Sequence, residues 1–230
     1  MNTADRHIVA LLPMKANSER VRGKNFRAFG GKPLFRWILD TLLQVELIDE
    51  VVINTDAREI LSEHGIAQLP RVRMRDRRPD LCGDTMSMNR ILADDVQAVA
   101  ADVYVMTHTT NPLLSAATIS AALDRFLAAQ EKGEADSLFT VNRFQTRFYR
   151  ADGSAVNHDP SNLLRTQDLE PWYEENSNLY IFTRQSFAAA NARIGKAPIM
   201  FETPRMESFD IDDQAGWDLA ELVCRRSPPQ

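Results

Sequence analysis

The chain has 230 residues, of which 44% are hydrophobic and 26% are charged, a balance typical of a globular protein with a full core. The formal net charge of −5 argues against a nucleic-acid partner, because no basic excess is present to displace counterions from phosphates. No apolar run approaches the roughly 18 residues of a membrane span, and no signal peptide opens the chain. We therefore predict a protein without a membrane segment and with a cytoplasmic location.

Short apolar runs alternate with segments of helical periodicity along most of the chain. Seven strands are predicted, at residues 8–12, 50–54, 71–74, 102–107, 137–142, 178–183 and 201–203. Helices are predicted at residues 33–45, 57–64, 85–100, 116–130, 184–192 and 213–225. This alternation predicts a doubly wound α/β fold with a mainly parallel sheet, in a single domain of residues 1–230. Ligand groups of such a fold lie at the carboxyl ends of its strands.

Residues 143–175 interrupt this alternation. They lose hydrophobic periodicity and carry the turn pairs Asp152-Gly153 and Asp159-Pro160. An irregular stretch of this length is usually a functional or interface element. We therefore expect an excursion from the main sheet and not a second domain.

The loop after the first predicted strand is basic. Its cationic side chains are Lys15, Arg20, Arg22, Lys24 and Arg27. It lacks the common phosphate-binding fingerprints, because Gly23-Lys24 is not followed by Ser or Thr and residues 13–22 contain no glycine. Phosphate would be held instead by side-chain cations and by amides near residues 16–18, an arrangement typical of nucleotidyltransferases. A solvated basic loop without a ligand is the alternative.

A second candidate site is the sequence Asp210-Ile211-Asp212. In an extended segment, residues two apart point to the same side, so both carboxylates face one way and Ile211 faces the other. Two convergent carboxylates suit Mg²⁺, with water and phosphate oxygens completing its octahedron. A solvated turn, or an N-cap for the helix that follows, is the alternative interpretation.

Three other polar features have a structural explanation beside a functional one. His108 follows a predicted strand and is either a ligand contact or an ordinary loop residue. Asp56 is expected to cap the helix that follows it rather than to bind a metal. The arginine-rich residues 71–78 are expected to form a solvated surface, apart from Arg78.

Seven short motifs, in order along the chain, resemble those of the acylneuraminate cytidylyltransferase family. They extend from about residue 8 to residue 223, and each is weak when taken alone. The motifs are residues 13–25, Gly30-Gly31-Lys32-Pro33-Leu34, Asn54-Thr55-Asp56-Ala57, Arg78-Pro79-Asp80-Leu81-Cys82-Gly83-Asp84, His108-Thr109-Thr110-Asn111-Pro112-Leu113, the pair Arg165-Thr166-Gln167-Asp168-Leu169 and Asn176-Ser177-Asn178-Leu179-Tyr180-Ile181, and Ser208-Phe209-Asp210-Ile211-Asp212.

The resemblance implies a Rossmann-like nucleotidyltransferase (GT-A-like) fold in which residues 143–175 form the dimerisation arm of a homodimer. It also implies a reaction. The anomeric hydroxyl of a nonulosonic acid, such as sialic acid, attacks the α-phosphorus of CTP and yields a CMP-sugar and pyrophosphate. Mg²⁺ is the implied cofactor, and an acidic sugar is the implied acceptor.

Roles for single residues also follow from the resemblance. The implied catalytic residues are Lys15 and Lys24, together with Asp210 and Asp212, which are also the implied ligands of Mg²⁺. The implied nucleotide-binding residues are Arg20 beside the triphosphate, Ser18 to orient it and Asn25 at a phosphate or ribose oxygen. Arg78 and the Met86–Met88 segment, which includes Ser87, are implied at the cytosine. The implied acceptor-binding residues are His108, Arg165, Gln167 and Asn176, with arginine well matched to a carboxylate.

Four residues depart from the family pattern. Lys15 stands where the family has Arg, Ala57 where it has Asp, His108 where it has Gln, and Ser177 where it has Gly. A lysine cannot reproduce the bidentate contact of an arginine. Because His108 and Ser177 belong to the acceptor side, the pattern predicts CTP more firmly than sialic acid.

Two alternatives remain beside this reading. One is a cytidylyltransferase for 3-deoxy-manno-octulosonic acid (Kdo) or another non-sialic acceptor; Asn25 and Arg78-Pro79 disfavour the Kdo enzyme. The other is a non-catalytic nucleotide-binding regulatory relative, which the intact Asp210 and Asp212 pair disfavours.

Overall fold

The computed structural model describes residues 6–18, 21–83 and 85–226. The strands are β1 (Ile8–Leu11), β2 (Ala28–Phe29), β3 (Lys32–Pro33), β4 (Glu50–Thr55), β5 (Val72–Asp76), β6 (Val103–Thr107), β7 (Ser137–Phe144), β8 (Trp172–Phe182) and β9 (Pro198–Glu202). The α-helices are α1 (Leu34–Gln44), α2 (Arg58–Glu63), α3 (Met88–Ala98), α4 (Ala116–Glu131), α5 (Arg184–Ala190) and α6 (Gln214–Arg226).

Seven of these strands form one sheet in the order β5-β4-β1-β6-β8-β7-β9. Strand β1 pairs in parallel with β4 and β6, β4 with β5, and β7 with β9. Strand β8 is antiparallel to both of its neighbours, β6 and β7. The predicted doubly wound, mainly parallel α/β fold is therefore confirmed. From β1 the chain continues to β4 and β5 on one side, whereas β6 lies on the other side of β1, so the strand order reverses there. Folds of this kind bind ligands in the crevice at such a point.

Helices cover both faces of the sheet because the central strands are apolar on both sides. Ile8 and Ala10 of β1 belong to a core cluster with α1 and α4, whereas Val9 and Leu11 belong to a second cluster with α3 and α5. The side chains alternate between faces with the period of two that a strand imposes. In the part of the chain that the structure describes, no helix has the length and apolar character that a membrane crossing needs.

A third apolar cluster attaches α6 to the β2–β3 hairpin. Phe29 of the hairpin meets Trp217 of α6 edge to face, with ring centroids 5.3 Å apart, and Ile211 is buried in the same cluster. This packing brings the segment before α6 alongside the loop after β1.

Some boundaries differ from the predictions. Strand β8 begins at Trp172, so the last part of the irregular 143–175 segment is strand. The sequence patterns also do not predict the β2–β3 hairpin, because strands of two residues have no periodicity to detect. Helix α3 begins at Met88 rather than at residue 85.

Candidate active site

A cavity of about 430 Å³ opens at the carboxyl ends of β1 and β6. Its wall combines three segments that the sequence analysis singled out. The first loop contributes Lys15, Ser18, Lys24 and Asn25, the stretch after β6 contributes His108, Thr109 and Thr110, and the segment before α6 contributes Asp210 and Asp212. The structure thus brings together most of the predicted catalytic and nucleotide-binding residues.

The first loop is held against the neighbouring strand by its backbone. The Met14 amide donates to the Asn54 carbonyl at 2.9 Å, and the Ala16 amide donates to Asp56 Oδ1 at 2.7 Å. Asp56 was predicted to cap α2. That prediction is wrong: Ala57 occupies the N-cap position, no side chain caps this helix, and Asp56 positions the loop instead.

The second half of the loop turns back onto the first half. Gly23 has φ 62°, a left-handed conformation that suits glycine, and it begins a single 3-10 turn that buries Lys24 and Asn25. The Asn25 side chain donates to the Lys15 carbonyl at 2.7 Å and accepts from the Thr109 hydroxyl at 2.7 Å. Asn25 therefore ties the loop to the segment after β6.

Lys24 connects the loop to the segment before α6. Its side chain is only 7% exposed, and its Nζ donates to the Ile211 carbonyl at 2.5 Å. Ile211 lies between the two predicted metal ligands, so the ammonium group is fixed at that point of the cavity wall. A buried ammonium group costs desolvation and is usually retained where a negative partner compensates for it.

The two carboxylates face the cavity as predicted. Ile211 is fully buried, and its amide donates to the Thr110 carbonyl at 3.0 Å, whereas Asp210 and Asp212 are exposed and line the cavity. Among the described residues, no group of three or more His, Cys, Asp or Glu side chains is arranged to hold a metal by itself. Two carboxylates on one wall fit a Mg²⁺ ion that takes its other ligands from water and substrate phosphates.

His108 lies on the same wall at the end of β6. Burial lowers the pKa of His108 from 6.5 to about 3, with the positive charges of Arg193 and Lys24 acting in the same direction. The imidazole is therefore neutral at physiological pH. It can donate one hydrogen bond and accept another without carrying charge into the cavity.

Of the residues predicted to meet the cytosine, Met86 and Met88 line the cavity, whereas Arg78 and Ser87 lie beside it. Arg78 is exposed and pairs with Asp80 at 3.0 Å, and Ser87 is exposed as well. Arg77, the residue before Arg78, lines the cavity instead. The predicted triphosphate-binding residue Arg20 lies outside the described residues.

Three of the predicted acceptor-binding residues do not line the cavity of their own chain. Arg165 is exposed and pairs with Asp168, its Nε donating at 2.7 Å. Gln167 is also exposed, on the irregular segment between β7 and β8. Asn176 is buried and holds Thr140 and Thr203 by hydrogen bonds of 2.7 Å. Its position fits a role in shaping β8, and the binding roles of all three stay predictions.

The sequence patterns do not predict Arg77 as part of the site, and they assign no role of their own to Met14 or Thr109, although both lie in motifs that resemble those of the family. Arg77 belongs to the stretch that was expected to be a solvated surface, but it is 9% exposed and lines the cavity. Met14 and Thr109 act through a backbone carbonyl and a structural hydrogen bond, which residue type alone does not reveal.

Residues 9–223 match the sequence model of a family described as cytidylyltransferase. The chain belongs to the cytidylyltransferase family. This confirms the predicted family and identifies the protein as a nucleotidyltransferase enzyme. The match covers every segment that lines the cavity, from the first loop to the two carboxylates before α6.

Individual cytidylyltransferases are similar over almost all of this chain. The pseudaminic acid cytidylyltransferase of Campylobacter jejuni is 26% identical over 227 residues, which are 94% of this chain and 96% of that protein. The N-acylneuraminate cytidylyltransferase of Oncorhynchus mykiss is 28% identical over 94% of this chain and 50% of its own length. The CMP-N,N'-diacetyllegionaminic acid synthase of Legionella pneumophila is 26% identical over 94% of this chain and 95% of that protein.

Solved cytidylyltransferases share the fold at lower identity. A CMP:2-keto-3-deoxy-manno-octonic acid synthetase, solved as a complex with CTP, superimposes with a TM-score of 0.65 at 15% identity, covering 96% of this chain and 99% of that one. A 4-diphosphocytidyl-2C-methyl-D-erythritol synthase from Anaerococcus prevotii gives a TM-score of 0.66 at 13% identity, covering 96% and 97%. These likenesses establish the Rossmann-like nucleotidyltransferase fold alone.

Proposed function

We propose that this cytidylyltransferase transfers CMP from CTP to the anomeric hydroxyl of a nonulosonic acid and releases pyrophosphate. The observation that carries the proposal is that one cavity joins the cations Lys15 and Lys24 to the carboxylates Asp210 and Asp212. Transfer from a nucleoside triphosphate depends on positioning and on charge stabilisation by such groups. The relatives named for pseudaminic, N-acylneuraminic and legionaminic acids support the class of acceptor.

In the proposed reaction, the anomeric oxygen bonds to the α-phosphorus while the bond from that phosphorus to the pyrophosphate oxygen breaks. The hydroxyl proton is released to water. Lys15 and Ser18 would hold the phosphates by charge and hydrogen bonds, together with loop amides after Ala16, whose own amide is bound to Asp56. Lys24 would stabilise the growing negative charge, because its ammonium group is already fixed in the wall and needs no rearrangement.

We also propose that Asp210 and Asp212 hold Mg²⁺, which when bound would screen the phosphates and stabilise developing charge. Replacing Asp212→Asn keeps the volume and removes the charge, so we expect loss of activity on the order of 10²-fold or more without loss of folding. Asp218→Asn, an exposed carboxylate on α6, serves as the matched control. A fully active Asp212→Asn enzyme would remove the metal role.

On the acceptor side, we propose that neutral His108 contacts the sugar acid by hydrogen bonding. The neutral imidazole adds no positive charge beside Lys24 and Arg193, so it would contact the acceptor through hydrogen bonds alone. His108→Gln should change the preference among acceptor acids and leave the affinity for CTP nearly unchanged. A large loss of CTP binding in this variant would assign His108 to the nucleotide.

The nucleotide part of the proposal is tested by pyrophosphate release. With a nonulosonic acid present, release should require CTP and Mg²⁺ and should be much slower with ATP or UTP. Omitting the acceptor gives the background rate. Equal turnover with ATP or UTP would contradict the assignment of cytosine, whatever the acceptor.

We further propose that the protein is a homodimer in which the segment between β7 and β8 is the arm. This segment exposes the apolar side chains Leu163 and Leu164, which are 62% and 50% exposed, and Trp172 at the start of β8 is 40% exposed. Large apolar side chains that are exposed on one segment favour contact with another protein surface. In such a dimer Arg165 and Gln167 need not face the cavity of their own chain.

The alternatives concern the acceptor and not the nucleotide. A Kdo cytidylyltransferase from Acidobacterium capsulatum is 25% identical over 52% of this chain, a shorter match than those of the three relatives described above. His108 and Ser177 line the cavity, so an unusual acceptor is the second candidate.

A cytoplasmic location stays a prediction from the sequence.

A further inference from the structure

Arg77 is a buried cation in the cavity wall that the proposed reaction does not yet use. It follows β5 and is 9% exposed. Its guanidinium donates from Nε to Asn54 Oδ1 at 2.9 Å, and from Nη2 to the Asn54 carbonyl at 2.8 Å and the Met14 carbonyl at 3.2 Å. Met14 directly precedes Lys15, so this one side chain connects the end of β4 to the first residue of the phosphate-binding loop.

The other end of the same network lies on α3. Asn54 is fully buried and donates from Nδ2 to Asp95 Oδ1 at 2.7 Å, and Arg75 donates to the same carboxylate oxygen. Because its amide group is directed at Asp95, the Asn54 oxygen is directed at Arg77. A carboxylate, an amide and a guanidinium therefore form a continuous chain from α3 through β4 to the cavity.

Stability alone does not explain this arrangement. Desolvation lowers the pKa of Arg77, although the charge of Asp56 opposes the shift, so its burial is costly. Apolar residues of similar size often replace buried charges without loss of stability. The buried guanidinium of Arg77 donates to two backbone carbonyls at the cavity wall. This arrangement is suited to fixing a loop and to presenting positive charge to an anionic ligand.

We propose that Arg77 is the positioning residue of the nucleotide end of the site. It fixes the backbone between Met14 and Lys15, and it adds a fixed positive charge to the wall where the nucleoside triphosphate binds. Asp95 and Asn54 orient its guanidinium. This inference rests on the proposed function, and it predicts an effect on CTP that is separate from any effect on the acceptor.

The test compares Arg77→Lys and Arg77→Met with Arg73→Met. Arg73 belongs to the same basic stretch, but it is exposed and pairs with Glu50 at 2.8 Å, away from the cavity lining. Lysine retains the charge and loses the fork, so the KM for CTP should rise about tenfold or more in Arg77→Lys, as expected for a lost charge-assisted hydrogen bond. The KM for the acceptor should stay within about twofold, and Arg73→Met should match the wild type.

A second variant covers the case in which Arg77→Met does not fold. Asp95→Asn weakens the network at its far end, so the KM for CTP should rise while that for the acceptor does not. Thermal unfolding identifies the folded variants. The proposal is overturned if folded Arg77→Lys and Asp95→Asn bind CTP as the wild type does, or if the KM values for CTP and the acceptor rise equally.

Different results would contradict the proposed function and the proposed role of Arg77. If the wild type releases no pyrophosphate from CTP with any acid tested, the proposed function fails, and CTP binding by calorimetry still tests Arg77. If the wild type is active and Arg77→Lys has a normal KM for CTP, the inference about Arg77 fails alone.

Discussion

At the scale of single residues, Lys24 is a buried cation that links two parts of the cavity wall. It joins the first loop to the segment before α6, which is distant in sequence, through its bond to the Ile211 carbonyl. Lys24→Met keeps most of the volume and removes the charge, so kcat/KM for CTP should fall about 10²–10³-fold. Steady-state pyrophosphate release measures this fall.

The control for this variant is Lys32→Met, on the nearby β2–β3 hairpin. Lys32 pairs with Asp40 at 2.6 Å and lies over the Trp37 ring, so its loss should leave kcat/KM nearly unchanged. Activity of Lys24→Met within about threefold of the wild type would refute the role of Lys24 in charge stabilisation.

His108 makes a separate prediction about pH. Its pKa of about 3 in the folded chain lies below its ordinary value of 6.5, so between these values the unfolded chain binds more protons. The contribution of His108 to the free energy of unfolding is therefore complete above pH 6.5 and decreases as the pH falls towards 3. His108→Gln should lose stability less steeply over this range. Urea unfolding at several pH values measures the slopes, and equal slopes would contradict the burial of a neutral imidazole.

The basic residues show how far prediction from sequence could go at this scale. Lys24, Asn25 and the two carboxylates could be proposed from the sequence because they belong to ordered motifs that resemble those of the family, although each motif is weak alone. Arg77 could not be distinguished from Arg78. Alternation puts Arg73, Arg75 and Arg77 on one side of the chain, but Arg73 is exposed and Arg75 contacts α3, so the pattern does not show which arginine reaches the cavity.

At the scale of elements, helix α4 begins shortly after the cavity-lining residues 108–110 that follow β6. Ser115 caps this helix, its hydroxyl accepting from the Thr118 amide at 3.2 Å, as predicted from the sequence. Ser115→Ala should lower the free energy of unfolding by about 1 kcal/mol, the usual cost of losing such a cap. Ser120→Ala, within the same helix, should cost less because its hydroxyl donates to the Ala116 carbonyl and caps nothing. Equal losses in the two variants, measured by urea unfolding, would contradict the capping role.

Elements with strong periodicity could be predicted to within a residue or two, and those without it could not. Helix α1 and strands β1 and β4 bury one stripe or both faces, which leaves a clear pattern in the sequence. Strand β8 begins with four exposed residues, 172–175, so its first part carries no alternation. Its pairing with β7, and not its own composition, determines that it is a strand.

At the scale of the whole molecule, the proposed homodimer can be tested at its arm. Leu163→Glu and Leu164→Glu introduce charge into an exposed apolar group, so each should shift the mass in solution towards the monomer. Leu222→Glu on α6 is the control, since Leu222 is similarly exposed, at 59%, but lies on another element. Light scattering after size exclusion measures the mass. Dissociation by Leu222→Glu alone would assign the interface to α6.

The fold as a whole could be predicted because alternating strands and helices leave few topologies, and the resemblance of ordered motifs selected one of them. What the sequence could not reveal is which residues of each segment reach the cavity. That depends on the positions of the loop after β1, the end of β5 and the segment before α6, which are set by packing between distant parts of the chain.

The most direct test of the central claim is the identity of the product. The enzyme is incubated with CTP, Mg²⁺ and, one at a time, pseudaminic, N-acetylneuraminic and legionaminic acids and Kdo, and the products are analysed by mass spectrometry. We predict a conjugate of CMP with at least one of the three nonulosonic acids, formed in equal amount to pyrophosphate. Pyrophosphate release without such a conjugate, or a conjugate with Kdo alone, would contradict the account.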